Sequence, residues 1–556
     1  MGSNGIRFSI SDLSPPRARL LKCVYRERAA ISLFDALNAN STGPSGPLTF
    51  PESTIAEVSQ TLARFRSIAV DDYGVPLSQI SVFATEAMRR AANAGAILDA
   101  IKTAAPGLSV QILAPEVETL FGAMGARSGF VAVKGLFLDL GGGSVQMTYM
   151  DSSSDVQPSY EIAAAQAGES LPFGAARLIR VLETASADVK AIEEAKLSTG
   201  MARAFSVLKE KFPSLAETGH GEAKDGVDVY LCGGGFRGYG SILMHNDPIQ
   251  PYPIPSVGAY TVSGDLFKDT KTMRKLNAEY EGKIFGMSKR RRHQFPAIAT
   301  VIEALVQAVP NIKSVTFCAG GNREGALVLK LPRDIRERNP LPLLASVDGK
   351  SDFDSKTTET VLDSLLAAIP SDRDLSRIPS IFSLGLAPLF AREIWARSGE
   401  DDDSNAAHAL HNAVHGYPSS PGLTHLARAV LGLTLCARWG GGLAPINMQL
   451  HHNLKALVER ADPEASFWAE YIGASAAALA RVISAWPAGR SVIDIIRFEA
   501  KMNSNKIELK ILVAHESTRG ISPADLSSLF KNVGKRKHDN KKADKKVFVT
   551  VEKVAE

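Results

Sequence analysis

The first half of the chain alternates short apolar runs with longer stretches of helical period, which predicts alternating β-strands and α-helices. The apolar runs are short, and several end at glycine, so we interpret them as buried strands. The expected strands span residues 80–84, 108–113, 136–139, 227–232 and 315–319. This alternation is typical of the α/β class of folds.

One helix is predicted before residue 70, where apolar residues recur at helical spacing. These residues are Ile55, Val58, Leu62, Phe65 and Ile68. We expect the helix to begin near Ser53 or Thr54, because Glu57 follows at the spacing of a capping box.

The stretch Leu136–Met147 carries the most specific chemistry, because a glycine turn directly follows a strand. The turn comprises Gly141, Gly142, Gly143 and Ser144. Its three glycines allow a backbone path that residues with a Cβ cannot follow, and its N–H groups can converge on one anion. Asp139, at the end of the strand, can hold a metal ion or its waters beside that anion. The alternative interpretation is a plain glycine-rich hairpin with a solvated aspartate.

Charged residues follow two other predicted strands. Arg89 lies one turn into a helix after the strand at 80–84, so it either points back to a cleft at the strand ends or lies on an exposed face. Glu116 and Glu118 follow the strand at 108–113 and are candidates for a general base. Acidic first turns of helices are also common for electrostatic reasons, so this pair alone is weak evidence.

Two further strands end in glycines. Gly233, Gly234 and Gly235 follow the strand at 227–232. A third glycine turn, Gly320–Gly325, follows the strand at 315–319 and contains Arg323. Repetition of the strand-to-glycine pattern is far more specific than one occurrence.

The first residues predict a turn at Gly2, Ser3 and Asn4, followed by a strand with alternating polar and apolar residues. A turn of this kind, with the strand after it, is typical of the second half of a phosphate-binding β-hairpin. The first strand of such a hairpin should end in aspartate. We therefore expect that the chain begins late, after the first strand of the hairpin. The alternative is that the turn has no function.

The second half of the chain is predicted to be mainly helical. Strands are expected at 495–500 and 507–513 around a turn at 503–505, and an alternating strand at 547–551. A basic loop at 535–546 precedes the last strand, and it is a solvated loop in the simplest interpretation.

Composition excludes several classes of function. The net charge is only +4 over 556 residues, so we expect no DNA binding. The four cysteines are far apart, which favours reduced thiols in a reducing compartment. We find no secretory leader and no apolar run near the ~18 residues of a membrane span, so we expect no membrane association and a cytoplasmic protein.

Eight motifs together, in this order, resemble the Ppx/GppA phosphatases, the exopolyphosphatase and guanosine pentaphosphatase family. They are GSNGIRF, TEAMRRAAN, PEVETLFG, LDLGGGSVQM, ESLPFGAARL, LCGGGFRG, GMSKRRR and AGGNREG. The resemblance covers roughly residues 1–335 and is greatest to the fungal retrograde-regulation proteins of that family, which act in mitochondria-to-nucleus signalling.

The resemblance implies an α/β fold of the two-lobed actin/Hsp70-like (ribonuclease H-like) ATPase type, with a mainly helical C-terminal domain that carries a small β element. It implies lobe I at 1–132, lobe II at 133–335, a linker at 336–357, a helical domain at 358–490 and a small α/β element with the basic loop at 491–556. The nucleotide (ATP) or polyphosphate would lie between the lobes.

The resemblance also implies roles for residues. Glu118 matches the catalytic glutamate, with Glu116 as the fallback, and Arg89 matches a cleft arginine. Asp139 would lie near Mg²⁺. Phosphate or nucleotide would contact Gly2, Ser3, Asn4, Gly141, Gly142, Gly143, Ser144, Gly233, Gly234, Gly235 and Arg323.

The chain departs from the family pattern at Leu120, where an arginine is usual, and it lacks a clear HD-type metal signature. These departures favour a ligand-controlled sensor that acts on a regulatory protein partner, and they allow a homodimer. Retention of Glu118 and Asp139 favours the alternative, an active Mg²⁺-dependent exopolyphosphatase or nucleotide phosphohydrolase. Because the aspartate of the first hairpin would precede Met1, we expect less than full activity from the chain of 556 residues.

Overall fold

A computed structural model describes residues 1–39, 47–153, 159–217, 226–345, 355–370, 378–517, 520–535 and 545–554. The chain divides into two compact units. Unit 1 comprises Met1–Asn246 and Ser256–Arg338, and unit 2 comprises Asp247–Pro255 and Asn339–Glu556. Within the described ranges, no helix has the length and apolar character needed to cross a membrane.

Unit 1 contains strands and helices in alternation. Its strands are β1 (Ile6–Asp12), β2 (Lys22–Ala29), β3 (Val82–Ala84), β4 (Val110–Ile112), β5 (Lys134–Leu140), β6 (Val145–Asp151), β7 (Glu169–Leu171), β8 (Val227–Cys232), β9 (Tyr260–Ser263) and β10 (Ile312–Phe317). Its helices are α1 (Leu33–Ala39), α2 (Glu52–Ser67), α3 (Glu86–Arg90), α4 (Ala94–Ala104), α5 (Pro115–Arg127), α6 (Tyr160–Ala167), α7 (Ala175–Thr184), α8 (Ala187–Lys211), α9 (Pro213–Glu217), α10 (Gly233–His245), α11 (Gly264–Lys268), α12 (Thr270–Glu279), α13 (Lys289–His293), α14 (Phe295–Ala308), α15 (Asn322–Leu329) and α16 (Arg333–Arg336).

A six-stranded sheet organises the larger part of unit 1. Its strand order is β7-β6-β5-β8-β10-β9. The three central strands β5, β8 and β10 are parallel, whereas β6, β7 and β9 add antiparallel edges. Because parallel strands end at one edge of the sheet, the segments that follow β5, β8 and β10 lie close together.

Two separate cores support the two halves of unit 1. One core joins β1, α2, α3 and α4 through residues such as Leu62 and Met88. The other joins α5 to β5 and to the helices beside it, through residues such as Met124 and Phe137. Helix α5 therefore packs with the sheet that follows it in sequence. The predicted lobe boundary at 132–133 stays a prediction.

Two elements, helix α2 and strand β3, begin at different residues from those predicted. Helix α2 begins at Glu52 directly after Pro51, and no side chain caps it. The capping box expected at Thr54 and Glu57 is therefore wrong, because Pro51 already places the chain in the extended conformation that precedes a first turn. Strand β3 begins at Val82 rather than at residue 80, because a 3₁₀ turn at Leu77–Gln79 still closes onto the Ile80 N–H.

Unit 2 is mainly helical and carries a three-stranded sheet. Its helices are α17 (Leu341–Ala345), α18 (Ser355–Ala367), α19 (Ser380–Ser383), α20 (Ala387–Glu393), α21 (Asp402–His415), α22 (His425–Trp439), α23 (Pro445–Ala461), α24 (Ala465–Val482), α25 (Val492–Ile495) and α26 (Pro523–Ser528). Its strands are β11 (Ile496–Asn503), β12 (Lys506–Ala514) and β13 (Lys546–Val554), in the order β11-β12-β13.

The β11–β12 hairpin turns at Ser504, which has a φ of 55°, within the predicted turn. Helix α17 lies inside the stretch predicted as a linker, and its Leu341 and Leu344 are buried. The rest of the predicted linker includes residues 346–354, and the predicted basic loop includes residues 536–544; both of these ranges lie outside the described residues.

Candidate functional site

A cleft of about 820 Å³ lies where the ends of β5, β8 and β10 meet β1 and the turn before it. Register aligns the three parallel strands, since Asp139 pairs with Cys232 and Leu231 pairs with Phe317. The segments that leave these strands, at 139–144, 233–237 and 319–324, all contribute to the lining of the cleft. The structure thus brings most of the predicted site residues together.

The two predicted phosphate loops face each other across the cleft. Loop 1 (residues 2–5) is closed by two hydrogen bonds between Gly2 and Gly5, with N–O distances of 3.1 and 3.2 Å. Loop 2 (residues 141–144) is closed by the Gly141 N–H, which donates to the Ser144 carbonyl oxygen at 3.0 Å. A Cβ on Gly142 would lie 2.8 Å from the Ser3 Cβ, so only glycine allows this approach of the loops.

The loops retain free backbone donors. Within the described residues, no hydrogen bond uses the N–H of Ser3, Asn4, Gly142 or Gly143. The Ser144 hydroxyl is buried, and it accepts a hydrogen bond from Gln146 Nε2 at 2.6 Å. Adjacent unpaired N–H groups at two facing turns form a suitable cradle for a phosphate group.

Glu118 lies in the first turn of α5 and contributes to the lining of the cleft. Arg89 Nη1 is 2.8 Å from Glu118 Oε2 and also donates to the Leu113 carbonyl oxygen at 2.6 Å. Burial raises the pKa of Glu118, and the charge of Arg89 opposes this shift. Its Oε2 atom is buried without a well-aligned hydrogen-bond donor despite the ion pair. The neighbouring Glu116 is exposed, so the geometry favours Glu118 over the fallback.

Asp139 lies at the end of β5, where two glycines approach it closely. Gly233 has a φ of +89°, and a Cβ there would collide with Asp139 Oδ1. A Cβ on Gly122 would lie 3.0 Å from Asp139 Oδ2 and 3.3 Å from Asn322 Oδ1. Burial raises the pKa of Asp139, and the charges of Arg237 and Arg7 oppose this shift.

Three arginines, Arg7, Arg237 and Arg323, add positive charge to the lining of the cleft beside its carboxylates. The Arg323 guanidinium donates to the Phe8 carbonyl oxygen at 3.3 Å, and Arg237 donates to the Ala319 carbonyl oxygen at 2.9 Å. Within the described residues, no hydrogen bond or ion pair engages the guanidinium group of Arg7, which contributes to the lining of the cleft. The Arg7 side chain is exposed to solvent in the open cleft, but the protein around it displaces part of its hydration. This desolvation and repulsion from Arg237 and Arg323 lower its pKa to about 10, so it stays charged at neutral pH.

Sequence reasoning missed Arg7, Arg237 and Asn322, although they occur inside the quoted motifs GSNGIRF, LCGGGFRG and AGGNREG. Nothing in a single sequence shows which residues of a motif point into a cleft. The alternation in β1 was the one usable signal, because it places Arg7 and Ile6 on opposite faces of the strand.

The later glycines have packing roles that the turn interpretation did not anticipate. Gly235 lies inside α10, and a Cβ there would lie 2.5 Å from Leu140 Cδ2. Gly325 lies inside α15, and a Cβ there would collide with the Phe121 carbonyl group of α5. The prediction of a glycine turn through Gly325 is therefore wrong, because α15 already begins at Asn322 and requires glycine for close contact with α5.

Loop 1 is held by a residue from a distant part of unit 1. Arg290, on α13, donates to Asn4 Oδ1 at 2.7 Å and to Ser32 Oγ at 3.1 Å. It also forms an ion pair with Asp35 at 3.0 Å. Arg290 therefore positions loop 1, and its charge is already partly neutralised.

The donor set of the cleft fits a hard divalent cation. The buried Asn322 Oδ1 atom has no hydrogen-bond donor among the described residues, and the buried Glu118 Oε2 atom has only the ion pair with Arg89. Together with Asp139 they offer oxygen atoms, which Mg²⁺ prefers, often through its waters. Searched over the described ranges, the protein has no cluster of three or more His, Cys, Asp or Glu residues that could hold a metal ion. A cation here would therefore also depend on ligand phosphate and water, as is usual for Mg²⁺.

Comparison with known proteins covers almost the whole chain. Residues 13–334 match the model of the Ppx/GppA phosphatase family, and residues 342–556 match the RTG2 C-terminal domain. The chain is 33% identical over 485 residues to Retrograde regulation protein 2 of Saccharomyces cerevisiae, with 85% of this chain and 78% of the yeast protein covered.

Solved structures give a more distant likeness. The Ppx/GppA family member of Aquifex aeolicus is 19% identical with a TM-score of 0.44, over 59% of this chain and 95% of that chain. An exopolyphosphatase of Cytophaga hutchinsonii is 18% identical with a TM-score of 0.43, over 61% of this chain and 97% of that chain.

The family match confirms the predicted fold class, an actin-like α/β fold followed by a mainly helical region with a small sheet. The 33% identity to the yeast protein confirms the predicted likeness to the retrograde-regulation proteins. The family model matches more than half of this chain, and the chain therefore belongs to the Ppx/GppA phosphatase family.

Proposed function

We propose that this protein binds a nucleotide or polyphosphate in the cleft of unit 1 and acts as a ligand-controlled sensor in mitochondria-to-nucleus retrograde regulation. Its similarity to the yeast retrograde-regulation protein supports the signalling role. A regulatory protein partner in the cytoplasm would respond to the liganded state. Ligand binding is sufficient for such a role when it shifts the population of two conformations.

The observation that carries the proposal is the unpaired charge of Arg7. Desolvation and the charges of Arg237 and Arg323 lower the pKa of Arg7, and Glu324 and Asp139 offset its charge only at longer range. None of the described carboxylates forms an ion pair with it. Like charges held together in a cleft are costly unless an anion neutralises them. The two facing loops with free N–H groups add the directional donors that phosphate requires.

Leu120 favours the sensor over an efficient enzyme. This residue, which stands where the family usually has arginine, packs against the apolar core beside α5. An apolar side chain at that position supplies no charge to a transition state. Phosphoryl transfer depends mainly on positioning and charge neutralisation, so we expect slow turnover or none.

The alternative function is Mg²⁺-dependent hydrolysis of a phosphoanhydride, in an exopolyphosphatase or nucleotide phosphohydrolase. The position of Glu118 in the cleft favours it, because a carboxylate with a raised pKa is suited to accept a proton from water. Asp139 and Asn322 would hold the Mg²⁺, which leaves Glu118 free to act as the base. The ion would neutralise charge on the phosphate groups.

The test measures ligand binding and phosphate release in parallel. Tripolyphosphate, ATP and GTP are titrated calorimetrically in Mg²⁺, and released phosphate is assayed for the wild type, Glu118→Gln and Arg7→Gln. We expect binding by the wild type and by Glu118→Gln, and binding about 10- to 100-fold weaker by Arg7→Gln, because a charge-assisted hydrogen bond contributes about 1.5–3 kcal/mol.

Arg26→Gln is the matched control, because Arg26 is exposed on the neighbouring strand β2 and does not line the cleft. It should bind as the wild type does. Absence of binding for all three compounds would overturn the proposal. Phosphate release by the wild type that Glu118→Gln abolishes would establish the alternative.

A further inference from the structure

Glu86 is a carboxylate that the proposed function does not use and that lies against a phosphate loop. It is the first residue of α3, directly after β3 and Thr85. Its Oε1 atom accepts a hydrogen bond from Arg90 at 3.0 Å. Its Oε2 atom is buried, and no donor among the described residues reaches it. One half of this carboxylate is therefore unsatisfied.

The unsatisfied oxygen lies at loop 2. A Cβ on Gly143 would collide with Glu86 Oε2, so the carboxylate touches the backbone of the loop whose N–H groups are free. Only 12% of the Glu86 side chain is exposed, and water has little access to this oxygen. Gly143 thus has to be glycine to accommodate a charged side chain beside the phosphate cradle.

Glu86 does not itself line the cleft, but its charge acts on Glu118, which does. It contributes to the raised pKa of Glu118, so the two carboxylates share one electrostatic environment. The nearby arginines neutralise it incompletely: Arg89 pairs with Glu118, and Arg90 is 40% exposed at the other oxygen of Glu86. A bare phosphate entering loop 2 would meet this negative charge at close range, where repulsion is only weakly screened.

We propose that Glu86 is a specificity-determining residue that makes loop 2 accept phosphate as its complex with a divalent cation rather than as the free anion. This inference rests on the proposed binding of a phosphate ligand. The positive charge of a hydrated cation beside the phosphate offsets the repulsion from Glu86. A tightly hydrated ion such as Mg²⁺ suits this arrangement, because it keeps several of its waters when bound.

The experiment compares binding of tripolyphosphate in Mg²⁺ with binding in EDTA, by calorimetry on the full chain. We expect the wild type to bind the Mg²⁺ complex at least ~10-fold more tightly than the free anion. Glu86→Gln keeps the side-chain shape and removes the charge, so it should tighten metal-free binding about 10-fold and reduce the preference for the complex to near 1.

Arg90→Met tests the same idea in the opposite direction. It removes the partial neutralisation of Glu86 and should weaken metal-free binding further, which enlarges the preference for the complex. Glu57→Gln is the charge-matched control, because Glu57 is exposed on α2 and does not line the cleft; it should leave the preference unchanged.

The outcomes separate this inference from the proposed function. If the wild type binds tripolyphosphate and Glu86→Gln retains the wild-type preference for the complex, the inference is wrong while the proposed function stands. Failure of the wild type to bind in either condition overturns both. Circular dichroism and thermal unfolding of each variant show whether it is folded, and a Glu86→Gln that fails to fold is replaced by Glu86→Ala for the same comparison.

Discussion

Two buried carboxylates, Glu118 and Asp139, make the free energy of unfolding depend on pH. Burial raises both pKa values, and the arginine charges around them only partly oppose the shift. A carboxyl group with a raised pKa binds its proton more tightly in the folded chain than in the unfolded chain. The free energy of unfolding therefore falls as the pH rises from the unfolded-state pKa, about 4.5 for glutamate, through the higher folded-state pKa.

Glu118→Gln should remove this pH dependence at one site. We expect the melting temperature of the variant, relative to the wild type, to increase as the pH is raised from 4 to 7, since the wild type then has to ionise a buried group. Thermal unfolding monitored at unit pH intervals measures the difference.

Glu116→Gln is the control, because it removes a carboxylate from an exposed position on the same helix. A difference between Glu118→Gln and the wild type that stays constant over the whole pH range would show that burial does not govern Glu118.

At the scale of elements, the contact between α5 and α15 decides where the site residues lie. Gly125 of α5 faces Gly321, and Gly325 of α15 faces Phe121, each so closely that a Cβ would collide with backbone atoms. This contact brings Asn322, at the start of α15, to the level of Asp139. The glycines of the AGGNREG motif, which was predicted as a glycine turn, therefore serve mainly to pack α15 against α5.

Gly325→Ala should destabilise unit 1 by roughly 1–3 kcal/mol, because an added methyl group in a packed contact forces the helices apart. Chemical denaturation of the full chain measures the change. Gly321→Ala is the matched control, since a Cβ there would meet no atom within 4 Å, and we expect a change within about 0.5 kcal/mol. Equal effects of the two substitutions would contradict the packing role.

At the scale of the whole molecule, unit 2 is not continuous in sequence. It includes Asp247–Pro255, which follows α10, the helix that begins at Gly233 in the cleft. Within unit 2, Asp247 is fully buried and forms an ion pair with Arg460 at 2.6 Å, and Asn453 donates to the Pro251 carbonyl oxygen at 2.8 Å. The C-terminal region is therefore completed by a segment from within the Ppx/GppA part of the chain.

Arg460→Met should destabilise unit 2 by about 3 kcal/mol, because it leaves the buried charge of Asp247 without its ion-pair partner. Hydrogen exchange of α23 and α24 in the full chain measures this. Lys510→Met is the control, because it removes an ion pair with Glu552 that is exposed on the sheet of the same unit and is therefore expected to contribute little to stability. Exchange that rises equally in both variants would contradict a structural role for the inserted segment.

By itself, the sequence predicted the strands β3, β4, β5, β8 and β10, the fold class and the residues of loops 1 and 2, whereas the antiparallel strands β6, β7 and β9 were not among the expected strands. The predicted features depend on local periodicity, on glycine at turns and on the order of motifs, all of which are visible along a single chain. Only the tertiary structure decided that Arg7, Arg237 and Asn322 share the cleft with Asp139, that Gly325 packs against α5, and that Asp247–Pro255 belongs to unit 2. These depend on contacts between residues far apart in sequence, and the direction and neighbours of a side chain follow from packing that no local pattern encodes.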